Sequence, residues 1–235
     1  VVNTNVRNDA PVIADGNLRV ASFNVLNLFN GNGDGSGFPT SRGADSFSEY
    51  ERQLAKIVNA IVAIDADVLG LMEIENDGYA STSAIAQLVA AINAQMGAGT
   101  YEYISVGNGI GTDEIAVGII YKPAVVTPEG APELLTSANS IVDTDGPLFD
   151  DSRNRPSLAQ AFVHSETRQT IVVDVNHLKS KGSSCGSGDD DTSTGQGNCN
   201  LTRTRAAQAL VVWLNDTFPD MPFTVLGDLN SYGME

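Results

Sequence analysis

Basic residues are scarce in this chain: 13 Lys and Arg stand against 29 Asp and Glu, for a formal net charge of −16 over 235 residues. Spread evenly, such a charge repels a polyanion, because nucleic-acid affinity comes largely from Lys and Arg on phosphates. It reads first as a solubility adaptation, to salty surroundings for instance. The second reading is that some carboxylates hold divalent cations, which locally reverses the field a phosphate meets. Long apolar runs are missing as well. None nears the roughly 20 residues that a bilayer crossing needs, so no membrane insertion is expected. Cysteine and histidine occur only twice each. Cys185 and Cys199 lie in a stretch of Gly, Ser, Asp, Thr and Asn with no nearby His, so they cannot complete a metal site alone. A disulfide closing that loop would stabilise by about 3 kcal/mol. It is preferred over two free thiols, and it implies an oxidising, extracytoplasmic location.

What is present suits one large globular domain, with 42% apolar residues in alternating helical and extended patterns. Residues 1–17 are polar, with Pro11 and Gly16, and read as a leader or linker. The chain opens at Val1 without a methionine, so a signal peptide or another upstream region is expected to be missing. Leu18–Val25 alternates as a strand does. Ser48 and Glu51 suggest a capping box that opens a helix with Leu54, Ile57, Val58, Ile61 and Val62 on one face. Asp67–Ile74 reads as a buried strand, and Thr82–Met96 as a second helix ending at Gly97. Further strands are expected at Tyr101–Val106, Glu114–Tyr121 and Phe223–Leu226. Ser157–His164 and Thr170–His177 suggest a hairpin, and a third helix falls near Thr202–Leu214. Hairpins together with helical crossovers point to an α/β sandwich of mixed sheets.

Polar residues interrupt the ends of four apolar strands. Asn24 does so in SFNVLN, Glu73 in LGLMEIEN, His177 in VVDVNHLKSKG, and Asp228 with Asn230 in FTVLGDLNSYG. Ligand sites gather at strand ends in α/β sheets, and a lone buried carboxylate there costs several kcal/mol without a partner or metal. Asn and carboxylate oxygens suit Mg²⁺, Mn²⁺ or Ca²⁺ better than zinc. A divalent ion neutralises charge on a phosphate, a histidine moves a proton, and a carboxylate orients water. Each residue alone has a plainer reading: Asn24 and Asp228-x-Asn230 are common turn compositions, and Lys179 and Lys181 could be solvated charges. His164 reads as a surface residue. Only the ordered set is specific.

That ordered set resembles the endonuclease/exonuclease/phosphatase (pancreatic deoxyribonuclease-like) superfamily, from about Leu18 onward. The two-cysteine loop and the CNLTRTRAAQAL segment after it are most similar to large secreted bacterial extracellular nucleases. The resemblance implies a four-layer α/β sandwich of two mixed sheets flanked by helices. It implies Glu73 as principal metal ligand, aided by Asn24 and Asp228, with Mg²⁺ or Mn²⁺ as the ion and Ca²⁺ as a further candidate. Asp228 and Asn230 would orient water and bind phosphate. His177 would be one of two catalytic histidines, oriented by Glu114, and Arg155 would contact substrate phosphate. Arg155 equally reads as a surface charge beside a proline. The family pattern continues to a Ser-Asp-His motif, whereas this sequence stops five residues after Asn230. A further C-terminal segment of the same protein is therefore expected to complete the site and the last strands. The implied activity is a secreted nuclease hydrolysing extracellular DNA, with RNA as a second substrate. A phosphatase or phospholipid phosphodiesterase of the same fold, or a non-catalytic binding module, are the alternatives.

Overall fold

A computed structural model describes residues 16–191 and 195–231. The leader expected over residues 1–17 lies outside them, but for its last two residues. In chain order the elements are β1 (Val20–Leu28), α1 (Phe47–Ile64), β2 (Val68–Glu75), α2 (Ala84–Met96), β3 (Glu102–Tyr103), β4 (Ile115–Tyr121) and β5 (Val126–Leu135). The short β6 (Val142–Asp143) and β7 (Gly146–Pro147) pair with each other. The hairpin β8 (Ser157–His164) and β9 (Thr170–His177) follows, then α3 (Asn200–Thr217) and β10 (Phe223–Asp228).

Two four-stranded mixed sheets result, ordered β1-β2-β4-β3 and β10-β9-β8-β5. In each, one parallel pair (β1 with β2, β10 with β9) adjoins antiparallel neighbours. The sheets pack face to face through Val117, Ile119 and Tyr121 on one side and Leu158, Phe162, Val173 and Val175 on the other, with the Tyr121 and Phe162 rings in contact. Gly70 permits their close approach, since a Cβ there would collide with Leu226 and Val175. Helices α1 and α2 cover the first sheet. Helix α3 covers the second, burying Ala206, Leu210, Trp213 and Leu214 against Ala159, Ala161 and Val172. The expected four-layer sandwich is observed. Among the described residues no helix is long and apolar enough to cross a membrane.

Several boundaries differ from the sequence reading, each for a local reason. Helix α1 starts at Phe47, with Ser46 rather than Ser48 as cap: Ser46 Oγ accepts from Glu49 N at 3.4 Å, and Glu49 Oε2 accepts from Asp45 N at 2.9 Å. The earlier start packs Phe47 against Phe38 and Tyr50. Strand β5 escapes the sequence pattern because Pro128 and Pro132 interrupt it. It sits at a sheet edge with an irregular register between Glu129 and Glu133, where proline is tolerated. The extended run expected over Tyr101–Val106 keeps only the two residues of β3. His164 is buried, not a surface residue: its Nδ1 accepts from Thr167 N at 3.1 Å and closes the hairpin turn.

Cys185 and Cys199 form a disulfide. Just beyond it, Asp189 accepts from Leu201 N (2.6 Å) and Thr202 N (3.0 Å), satisfying free donors at the start of α3.

Candidate active site

The parallel pairs β1/β2 and β9/β10 end at the same edge of the sandwich, and their last residues carry the polar set. Two irregularities aim it. Asn24 pairs with Met72 and Leu28 with Ile74, so residues 25–27 loop out opposite Glu73 alone. Glu73 is also the extra residue of β2 against β4, since Met72 faces Val117 and Ile74 faces Ala116. Its φ is +64°, and Leu26 and Asn27 follow at +54° and +49°. Non-glycine residues held there cost about 1–3 kcal/mol each and cluster at functional sites. A bulge re-aims a side chain at the rim of a sheet, and this one re-aims Glu73.

The strain is held by hydrogen bonds. Asn24 Nδ2 donates to Glu73 Oε1 at 2.9 Å and to Asp228 Oδ2 at 3.4 Å. Asn24 Oδ1 accepts from Leu26 N at 2.9 Å, and Glu73 Oε2 accepts from Asn27 N at 3.1 Å. Across the other sheet, Gly227 takes φ +128° against the Asn176 backbone, where any Cβ would clash, and this brings Asp228 beside His177. Asp228 Oδ1 accepts from Asn230 N at 3.0 Å, and Asn230 Nδ2 donates to Leu178 O at 3.0 Å. Lys181 Nζ donates to Asn230 O at 2.7 Å, tying the loop after β9 to the end of β10.

His177 is buried, with Nε2 3.9 Å from Glu73 Oε1 and Nδ1 without a hydrogen-bond partner. Burial, reinforced by the Arg155 cation, pulls its pKa below the ordinary value; Asp228, Glu73 and Asp113 oppose this without reversing it. The imidazole is therefore neutral at pH 7. Arg155 adjoins it through Arg155 N donating to His177 O at 3.1 Å. The Arg155 guanidinium lies 3.2 Å from Asp113 Oδ2, yet Nε makes no aligned hydrogen bond. The Arg155 cation thus stands next to His177 and is only partly matched by Asp113, which suits an anion.

Asn24, Glu73, His177, Asp228, Asn230 and Arg155 thus gather at one edge. Glu114 is not among the groups on His177. It pairs with Arg42 at 2.9 Å, while its neighbour Asp113 binds both Arg42 (2.7 Å) and Arg155 and acts on the histidine. Asp113 and Arg42 were not singled out from the sequence. The one available signal was the adjacent acidic pair before β4.

Among the described residues no three His, Cys, Asp or Glu side chains come together at metal-ligand spacing. Glu73 and Asp228 nevertheless converge on one amide nitrogen, and among the described residues neither has a Lys or Arg ion-pair partner. Two unneutralised carboxylates beside an amide are a hard-oxygen set that fits a divalent ion. Asn24 orients Glu73 through its amide nitrogen, while its oxygen accepts from Leu26 N.

No protein-family model and no curated protein matches the chain. Solved structures do. The human Nocturnin catalytic domain with bound sulfate anion aligns at TM-score 0.56 and 16% identity, over 93% of this chain and 65% of that one. A Bacteroides thetaiotaomicron mannosyl-6-phosphatase aligns at TM-score 0.56 and 15% identity, over 93% of this chain and 67% of that one. An endonuclease/exonuclease/phosphatase family protein from the same bacterium gives 0.53 and 15%, over 93% and 65%. The chain thus spans about two thirds of the length of these structures. Identity this low speaks for architecture, and the architecture of this chain is the endonuclease/exonuclease/phosphatase fold.

Proposed function

We propose that the chain is a secreted, divalent-metal-dependent phosphodiesterase that cuts DNA, with RNA as a second substrate. The observation that carries this reading is the convergence of Asn24, Glu73, His177 and Asp228 from both sheets onto one edge, beside the buried cation of Arg155. A divalent ion held by Glu73 and Asp228 would neutralise charge developing on the phosphate. The chain's own groups supply the rest. Arg155 binds a phosphoryl oxygen and fixes the ester's orientation. Asp228 orients a water for attack at phosphorus, in line with the ester oxygen that leaves. The neutral imidazole of His177 accepts the proton of the attacking water, and the imidazolium so formed returns it to the leaving oxygen. The Cys185–Cys199 disulfide supports an oxidising, extracellular setting.

The test is plasmid nicking by the purified chain with Mg²⁺, Mn²⁺ or Ca²⁺, with EDTA and His177→Ala as controls. Metal-dependent nicking that falls ~10²- to 10⁴-fold in the variant is expected. Hydrolysis of a sugar phosphate with no nicking would reassign the site to phosphomonoesters. Metal binding by calorimetry with no ester hydrolysed, in a form of the protein that extends past Asn230 to the full family length, would make it a binding module.

A further inference from the structure

Beside the site runs an open groove of about 650 Å³ between the 24–27 turn and helix α1. Asn24, Leu26, Arg42, Arg52, Gln53 and Lys56 line it. It begins at Asn24, whose amide holds Glu73 and Asp228, so it is continuous with the edge where the chemistry is placed.

Its lining is richer in cations than the chain as a whole. In a molecule of net charge −16, three cations face this groove with one carboxylate, Glu49. Charges beyond roughly 8 Å are largely screened at physiological salt, so the local set decides what binds here. Arg42 is committed to Asp113 and Glu114. Arg52 is 62% exposed and meets Glu49 only at 3.7 Å, a surface pairing worth little. Lys56 is exposed, with no ion pair among the described residues. Arg52 and Lys56 are four apart on one helix face, about 6 Å along the axis, comparable with the step between successive phosphates of an extended strand.

The opposite wall is a rigid apolar projection. Leu26 is 72% exposed although four backbone groups around it are anchored. Its N–H is held by Asn24 Oδ1, and its carbonyl accepts from Gln53 Nε2 at 2.7 Å. Gln53 also binds Val25 O at 3.2 Å, and Asn27 N is held by Glu73. The leucine is thus displayed by a strained, fixed backbone rather than by a loose loop. A fixed aliphatic side chain beside a row of cations is the arrangement for packing on a base or sugar while the phosphates are neutralised.

We infer that this groove binds the nucleic-acid strand flanking the scissile phosphate, with Arg52 and Lys56 on its phosphates and Leu26 against a base or sugar. The inference rests on the phosphodiesterase reading above and adds where the polymer lies. It is tested with Arg52→Gln/Lys56→Gln and, separately, Leu26→Gly, which relieves rather than adds backbone strain. Unchanged melting temperature confirms that each variant folds. Three readouts are taken: KM and kcat on a single-stranded oligonucleotide, the same on bis(p-nitrophenyl) phosphate, and anisotropy of a labelled oligonucleotide titrated with protein across salt concentrations. The double variant is expected to raise KM for the oligonucleotide about tenfold. It should lower the slope of log affinity against log salt by about 1.4, at roughly 0.7 per single-strand phosphate. Its loss on the oligonucleotide should exceed its loss on the small ester by at least ~10-fold. Leu26→Gly is expected to weaken oligonucleotide binding at an unchanged salt slope. Equal losses on both substrates, or an unchanged slope in the double variant, would overturn the groove. A parent that hydrolyses no phosphodiester, yet binds the oligonucleotide with this slope loss in the variant, would overturn the enzymatic reading and keep the groove.

Discussion

Asn24 reaches across from β1 to Glu73 on β2 with a 2.9 Å hydrogen bond, and that one contact spans the bulge which turns Glu73 into the site. The same nitrogen stands between Glu73 and Asp228. It is the neutral donor that lets two carboxylates share an edge without a guanidinium or ammonium between them.

Asn24→Ala should therefore leave Glu73 misdirected. Groups that orient a metal ligand are commonly worth 10–100-fold in metal affinity or activity. A loss of that size is expected in Mn²⁺ affinity by calorimetry and in phosphodiester hydrolysis. Glu73→Gln should weaken Mn²⁺ binding further still, since it removes a carboxylate itself. Parent-like Mn²⁺ affinity in Asn24→Ala would show that Glu73 needs no such support.

Arg155 carries the second prediction. Its guanidinium is largely buried, tethered to Asp113 on one side and adjoining His177 through the backbone. Lysine keeps the charge but loses the planar fork that matches a phosphate. Arg155→Lys should lower kcat/KM about 10- to 100-fold, or about 1.4–2.7 kcal/mol of transition-state stabilisation. Inhibition by inorganic sulfate should weaken in parallel. If sulfate inhibits the variant as well as the parent, Arg155 does not touch the anion.

The residues that carried the sequence reading were those that end an apolar strand. Asn24, Glu73, His177 and Asp228 stand out because nothing in a buried strand calls for them, and the structure brings all four to one edge. What stayed hidden was geometry set by single-residue shifts. Asp113 and Glu114 are neighbours in the bend just before β4, where no regular alternation says which way each one faces, and both reach Arg42. Composition cannot say which one faces Arg155. The bulge at Glu73 is equally silent, because no glycine announces the left-handed backbone there. The Gln53 anchor depends on a helix and a turn meeting across 27 residues of chain.

The disulfide gives a third expectation. It closes a loop with a sequence separation of 14, for which chain entropy allows about 3 kcal/mol. In a chain of this length, reduction or Cys185→Ser/Cys199→Ser should lower Tm by roughly 6–12 °C. Hydrolysis below the melting range should change little, because the polar set is held by β1, β2, β9 and β10 rather than by this loop. An unaltered Tm under reductant would mean that the loop is already ordered by Asp189 and Asp190.

Asp174 supplies the pH dependence. It is fully buried on β9, where Ser157 Oγ and Asn176 Nδ2 donate to its two oxygens, and burial outweighs these bonds to push its pKa up to about 7. An unfolded Asp titrates near 3.9, so the folded state favours the protonated acid. The stabilisation is complete below about pH 4 and is lost as pH rises through about 7, because only the fold still holds the proton in that window. The loss is on the order of 2–4 kcal/mol. Asp174→Asn removes the titration at nearly constant shape. It also offers a donor to Asn176 Oδ1, which is buried without a partner, once that amide turns over. The variant should melt no higher than the parent at pH 5 and several degrees above it at pH 8. Comparing the two proteins cancels the other 28 acidic residues of the 29 in the chain. Parallel Tm curves from pH 5 to 8 would place the Asp174 pKa in the ordinary carboxylate range and leave its burial to be compensated by Ser157 and Asn176 alone.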